Sequence, residues 1–317
     1  MKTKSFIQST TILMIGIIIL LPMGCNKKED SPEPVTDFSA NPTTIMFGNS
    51  VYFQDLTTND PTSWSWNFGD GNSSADKNPT HIYNTVGVYT VSLNASNSHG
   101  SDSKTKENFI HVLGACEGVT TVSDFDGNVY NTIDIGNQCW MKENLNVGVM
   151  VDSTIKHSDN ATIEKYCFRD EAANCNIYGG IYLWEEIMKY TDTEGAQGIC
   201  PNGWHIPTKA ECNQLMNFLG GELVAGGKMK ENGLAHWINP NYGASNESGF
   251  TALPGGQFID NYYGGYFDGL GALANFWTST AKDDFWSWNM ELTTGETKLH
   301  VVIKHIYDGV SVRCIRN

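Results

Sequence analysis

The sequence is short of charge, and of positive charge above all. Only 17% of its 317 residues are charged, with 20 basic side chains against 35 acidic ones and a formal net charge of −15. A field of that sign repels phosphate backbones, which argues against nucleic acid as a partner. Apolar runs are short as well: the stretch from Ile12 to Leu21 falls below what about 30 Å of hydrocarbon requires. Catalytic signatures are missing: there is no G-x-S-x-G elbow, phosphate-binding loop, dinucleotide fingerprint, C-x2-C pair or H-E-x-x-H helix, and the eight histidines are scattered. Asp124-Phe125-Asp126-Gly127-Asn128 carries its glycine too early for a calcium loop and reads as a hairpin turn. Glu185-Glu186 and Asp283-Asp284 are neighbours only along the chain, which does not set two carboxylates across a glycosidic bond; both read as solvated faces. No cofactor, metal or catalytic residue is expected.

What the chain does have is glycine, 32 residues of it, and an aromatic content of 11% that no disordered tail carries. The length suggests two domains and the composition favours β structure.

Lys2 and Lys4 ahead of the apolar run from Ile12 to Leu21 have the layout of a signal peptide, residues 1–24. The run ends in Leu21-Pro22-Met23-Gly24-Cys25, which resembles a bacterial lipobox with Pro22 where an aliphatic residue is preferred. The resemblance implies lipidation at Cys25, a mature chain that begins there, and the outer membrane as its partner through the lipid anchor. Residues 25–34 are polar and proline-bearing, a composition that suits an extended tether. Within them Lys28-Glu29-Asp30 is similar to the acidic signal that sends lipoproteins of the Bacteroidetes group to the cell surface; a solvated charge run is the plainer alternative. The expected location is the cell envelope, as a surface-exposed outer-membrane lipoprotein.

From residue 35 to residue 113 the pattern has period two. In Trp64-Ser65-Trp66-Asn67-Phe68 and in Tyr89-Thr90-Val91-Ser92-Leu93 apolar and polar residues alternate, as antiparallel strands with one buried face require. Glycine and Asn or Asp in Gly69-Asp70-Gly71-Asn72 and Asn78-Pro79 supply the turns. Trp64 to Gly71, then Asn78-Pro79-Thr80-His81-Ile82-Tyr83, then Gly87 to Leu93, resemble a PKD domain, with Asn67 in place of the commoner Asp. That resemblance implies an immunoglobulin-like all-β sandwich used as a spacer or interaction unit. His81 reads as a packed, hydrogen-bonded residue.

Residues 115–317 hold seven of the eight cysteines and seven of the nine tryptophans, a density that suits an oxidising compartment. Thr208-Lys209-Ala210-Glu211 is a capping box, and Cys212, Leu215, Met216 and Leu219 follow at helical spacing before Gly220-Gly221. Cys212 therefore belongs to a buried apolar face, which leaves six cysteines and fifteen ways to pair them. Short helices are expected near 181–189 and 208–219, with a strand through Trp286-Ser287-Trp288.

Trp140-Met141-Lys142-Glu143-Asn144-Leu145, Tyr178 to Trp184, Cys200-Pro201-Asn202-Gly203-Trp204-His205-Ile206-Pro207, Gly249 to Gly256, Phe276-Trp277-Thr278-Ser279-Thr280 and Val310 to Ile315 occur in the order of the FISUMP domain, named for Fibrobacter succinogenes, which this region resembles. Cys212 and Val310 depart from its usual Trp and Phe. The resemblance implies a mixed α+β domain, distantly similar to C-type-lectin and formylglycine-generating-enzyme folds, in which first and last strands meet. It also guides the disulfide pairing: Cys116 with Cys139, Cys167 with Cys175, and Cys200 with Cys314.

The lectin calcium motifs and the paired cysteines of the oxidase have no counterpart, so neither activity carries over. His205 reads as structural, for lack of a carboxylate or nucleophile to partner it. Phe258, Tyr262, Tyr263, Tyr266 and Phe267 lie in a Gly- and Asn-rich stretch; their commoner role is to pack the loop, while rings left outside can stack on a sugar or protein ligand. The expected function is non-catalytic binding or adhesion to a glycan or surface protein, with Tyr262, Tyr263 and Tyr266 as ligand residues. The alternatives are an enzyme or accessory module of extracellular polysaccharide breakdown, and a structural surface protein.

Overall fold

The computed structural model describes residues 32–261 and 264–317. The leader, Cys25 and nearly all of the tether, together with Tyr262 and Tyr263, lie outside the described residues.

Eight strands build the first domain: β1 (Phe38–Asn41), β2 (Thr44–Met46), β3 (Ser50–Asp55), β4 (Ser63–Asn67), β5 (Ser73–Ser74), β6 (Thr80–Ile82), β7 (Gly87–Asn97) and β8 (Gly100–Leu113). They form two sheets, β1-β3-β6 and β2-β8-β7-β4-β5. The period-two pattern is what closes them: β4 turns Ser65 outward and Trp66 inward, where Trp66 meets Phe38, Phe53 and Phe68 between the sheets. Gly69, at φ +84°, cannot be replaced freely, because a Cβ there would stand 2.4 Å from the Thr90 carbonyl oxygen. His81 stacks on Phe68 with 4.2 Å between ring centroids, and its Nε2 meets the Asp70 carboxylate at 2.7 Å.

No linker separates the domains. Leu113, the last residue of β8, packs in the core of the second domain, and Gly114 pairs with Asp134. The strands that follow are β9 (Thr121–Ser123), β10 (Val129–Ile135), β11 (Gln138–Met141), β12 (Val149–Met150), β13 (Glu164–Lys165), β14 (Tyr182–Leu183), β15 (Trp204–His205), β16 (Gln257–Ile259), β17 (Tyr266–Asp268), β18 (Leu273–Asp283), β19 (Trp286–Thr293), β20 (His300–His305), β21 (Gly309–Val310) and β22 (Ile315–Arg316). Four short helices accompany them: α1 (Ala172–Tyr178), α2 (Trp184–Ile187), α3 (Lys209–Phe218) and α4 (Glu222–Met229). The C-terminal β22 lies between β11 and β15 in the sheet β15-β22-β11-β10-β9, so the end of the chain returns to its early strands, though to β11 rather than β9. A second sheet, β14-β21-β16-β17, the antiparallel ribbon β18-β19-β20 and the parallel pair β12-β13 accompany it.

Local signals and tertiary demands disagree in several places. The capping box forms as its spacing requires: Thr208 Oγ1 accepts from the Glu211 N–H, and Glu211 accepts from the Thr208 N–H. The helix expected near 181–189 shrinks to α2, because Tyr182 and Leu183 pair with β21 as a strand. α4 forms despite Gly226 and Gly227, where a Cβ would come within 2.0 Å of Lys298 and 2.6 Å of Gly243 backbone oxygens. Trp286 and Trp288 alternate with Ser287, but it is Ser287 that is buried, donating to the Thr280 carbonyl at 2.9 Å. Glu186 is buried as well, not a solvated face: its carboxylate accepts from the Glu164 N–H at 3.0 Å and the Tyr190 hydroxyl at 2.9 Å.

Candidate functional site

The disulfides are Cys116–Cys139, Cys167–Cys175 and Cys200–Cys314, the pairs that the resemblance implies. Cys212 is a free thiol sealed inside α3; burial and the neighbouring Glu211 charge push it up, away from the reactive thiolate. His205 has the carboxylate that sequence reasoning could not place: Nε2 meets Glu211 at 3.0 Å while Nδ1 meets Asn317 Oδ1 at 2.6 Å, 112 residues along the chain. Burial opposes its charge, but these hydrogen bonds raise its pKa, so the imidazole clamps the capping box to the C-terminus.

A cleft of about 310 Å³ opens where the loop before β13, the β16–β17 hairpin and the turn after β20 converge. Its floor is Tyr166 and Phe258, with ring centroids 4.8 Å apart. Phe258 is seated by its pairing opposite Phe267 and Gly309, and the Tyr166 hydroxyl donates to the Ile155 carbonyl at 2.7 Å. The loop that closes one side is pinned by Ser153, whose N–H and Oγ both donate to the Asp170 carboxylate at 2.8 Å. On the rim Lys156 stands 3.7 Å from Asp260 and 5.9 Å from the Tyr307 ring centroid. Asp260 in turn donates its N–H to Asp308 at 3.0 Å, which ties the hairpin to the Tyr307 turn.

His157 is the exceptional residue of this cleft. Its ring lies 4.2 Å from Tyr166, and both nitrogens are buried with no hydrogen-bond partner among the described residues. Burial pulls its pKa down to about 4, against a weaker opposing pull from Glu164, so near neutrality the ring offers one N–H donor and one bare acceptor. Buried polar atoms are normally satisfied; here both ring nitrogens are closed to solvent and unpaired, in a residue that lines the cleft. Burial likewise raises Asp308 and lowers Lys304 just behind the rim, where Lys304 donates to Gln257 Oε1 at 2.7 Å.

Outside the rim, Phe285, Trp286 and Tyr307 gather round His305, at centroid distances of 6.5, 5.2 and 5.2 Å. Their exposures of 56, 38 and 39% leave flat apolar faces beside the cleft. Glu185 and Asp260 both line the cleft, the second of them next to Lys156.

The aromatic stretch singled out from sequence divides. Phe258 forms the cleft floor and Phe267 packs on it at 5.5 Å and on Phe168 at 5.3 Å, so both serve packing. Tyr266 is 53% exposed on the outer strand of the hairpin and does not line the cleft. His157, Lys156 and Tyr307 carried no sequence signal beyond an aromatic ring just before Asp308-Gly309, a turn dipeptide.

Short segments of the chain match curated collagenases. It is 52% identical to Collagenase ColA of Bacillus cereus over 42 residues, 13% of this chain and 4% of that protein. It is 40% identical to a microbial collagenase of Vibrio alginolyticus over 57 residues, 17% of this chain and 7% of that protein. The chain thus spans less than a tenth of either relative. Among solved structures, the PKD1 domain of Vibrio anguillarum Epp is 26% identical, with 26% of this chain and 98% of that one covered at a TM-score of 0.23. The PKD1 domain of the Vibrio cholerae metalloprotease PrtV is 29% identical, with 25% and 95% covered at a TM-score of 0.22.

Residues 31–112 match a PKD domain. Residues 133–316 match the Fibrobacter succinogenes major domain; that span is more than half of the chain, which belongs to this family and carries a PKD domain ahead of the unit that defines it.

Proposed function

We propose that this protein is a lipid-anchored surface protein of an outer membrane whose second domain binds carbohydrate without transforming it. Cys25 carries the anchor, and the PKD sandwich spaces the binding domain from the membrane. We read the second domain as lectin-like in frame, with its C-terminal strand folded back among its early ones. The observation that carries the binding reading is the cleft itself: an aromatic floor with a neutral, unpartnered imidazole set into it, beside exposed rings. A sugar ring presents an apolar face to aromatics and hydroxyls that donate and accept at once, which is what that surface leaves unmet. The cleft volume suits one or two sugar rings.

The test is binding of the full chain, in detergent, to an array of plant, bacterial and host glycans, with calcium present or chelated. Retention is expected and should fall at least tenfold, about 1.4 kcal/mol, in Tyr307→Ala at an unchanged melting temperature. Retention that survives Tyr307→Ala and His157→Phe would refute this cleft as the site. A hydrolytic reading has one observation in its favour, the presence of Glu185 and Asp260 in the same cleft. Release of shortened sugars from the bound glycans would establish it.

A further inference from the structure

A second groove, lined by a different set of residues, crosses the boundary between the domains. One end is a cleft of about 320 Å³ in the second domain, reached by Asn146, Asn176 and Ile177. The other is a cleft of about 530 Å³ between the domains, walled on the sandwich side by Thr44, Met46 and Ser50. The two adjoin at Lys142 and Thr251, which line both. β2, which supplies Thr44 and Met46, is an edge strand of its sheet.

Two features of the groove are costly to the fold. Thr251 sits at φ +54°, a left-handed conformation that a β-branched residue seldom adopts. It is held there from two sides. Asn246 accepts the Thr251 N–H at 2.8 Å and donates to its Oγ1 at 2.9 Å. From behind, the guanidinium of Arg313, fully buried over the Phe250 ring, donates to the carbonyls of Phe250 and Thr251 and to Asn144 Oδ1. The second feature is Asn146 Oδ1, an acceptor buried beside the groove without a donor among the described residues. Strained backbone that its surroundings over-determine is found at ligand clamps, and an unmet buried acceptor asks for a donor.

We infer that this groove binds a neutral polysaccharide chain laid across both domains, with Thr251 as its central contact and Asn146 as a contact at one end. Amides and hydroxyls line the groove beside apolar side chains such as Met46 and Ile177, and a sugar chain offers hydroxyls to the first and ring faces to the second. Its carboxylates are engaged, Glu143 by Asn131 at 2.8 and 2.9 Å and Glu247 by Lys228 at 3.7 Å; Lys142 adds one cation to the lining, against which the chain's net charge of −15 opposes an anionic polymer. A peptide added to β2 would find a strand of only three residues. The sandwich is then part of the binding surface as well as a spacer.

The experiment titrates the full chain with cellohexaose, xylohexaose and laminarihexaose, with their disaccharides, and with polygalacturonate and an extended polyserine peptide. At least one neutral hexasaccharide should bind, more tightly than its disaccharide. Asn146→Leu and Ser50→Trp, the second an exposed residue on the sandwich wall, should each weaken it at least about tenfold. Leu56→Ser, at an exposed residue that lines neither cleft, should leave it unchanged. Three results would overturn the inference: no neutral hexasaccharide binds, the peptide or polygalacturonate binds better, or Ser50→Trp leaves binding intact. Melting of each variant identifies any loss that comes from unfolding, and Ser50→Trp decides the matter if Asn146→Leu fails to fold.

Discussion

Replacing His157 by Phe should make the protein more stable and unable to bind, which is the opposite of the usual outcome of changing a half-buried residue. The two unpartnered ring nitrogens are the reason. A buried polar group left without partners costs of order 1–3 kcal/mol, and Phe fills a similar volume beside Tyr166 with no polar atom to satisfy. At pH 7 the gain should be about 1–3 kcal/mol, or roughly 2–10 °C in the melting temperature of a domain of this size.

Acid should enlarge the difference. The folded-state pKa of His157 is down to about 4, against an ordinary value of 6.5. Between those values the unfolded chain takes up a proton that the folded one refuses, so stability falls as pH drops from 6.5 towards 4. The full shift corresponds to at most about 3 kcal/mol, less for a ring that is partly solvated. His157→Phe removes that dependence, and denaturant unfolding of the two proteins at pH 7.0, 6.0 and 5.0 reads it directly. The wild type should lose more than the variant at each step. Parallel pH profiles, or a variant less stable than wild type at pH 7, would refute the picture of an imidazole held neutral and unsatisfied.

Three further outcomes follow from the core. Lys230 is fully buried and donates to the carbonyls of Tyr242, Thr293 and Glu296 at 3.0, 2.9 and 2.8 Å, so Lys230→Met should cost about 3–5 kcal/mol in denaturant unfolding by stranding three acceptors. Burial lowers the Lys230 pKa to about 8, below its unfolded value of 10.5; the unfolded chain binds the proton more tightly in that window, and this residue's contribution should rise as pH climbs from 8 to 10.5, a slope absent in Lys230→Met. Opening Cys200–Cys314 by paired Ser substitution should cost more than opening Cys167–Cys175, about 5 against 2–3 kcal/mol on loop entropy, because the closed loops span 114 and 8 residues; equal costs would refute the entropic account. Cys212 should resist maleimide in the native protein and react only after denaturation, as mass spectrometry of the 200–220 region would show.

The parts of this fold that could be read in the sequence are those whose cause lies within a few residues. Thr208 and Glu211 are three positions apart and cap α3 by direct reach. The alternation in β4 sets its buried and wet faces, and Asp124 receives the N–H groups of Asp126 and Asn128 within a single turn. Cys212 is buried because its neighbours at i+3 and i+7 are apolar. Periodicity and turn chemistry are local physics, and the chain carries them openly.

The binding surface was decided elsewhere. His157, Asp260 and Tyr307 meet in one cleft although about 150 residues separate the first from the last, and no local pattern marks any of them. The outward turn of Trp286, the burial of Glu186 and the strain at Thr251 depend on partners that sheet pairing brings from afar: β20, the chain near Glu164, and Arg313 behind Phe250. Sequence alone determined two modules, their order and much of their local structure. Tertiary structure decided which polar groups would be left unpaired, because satisfaction of a buried group depends on everything packed around it and not on the residues next to it in the chain.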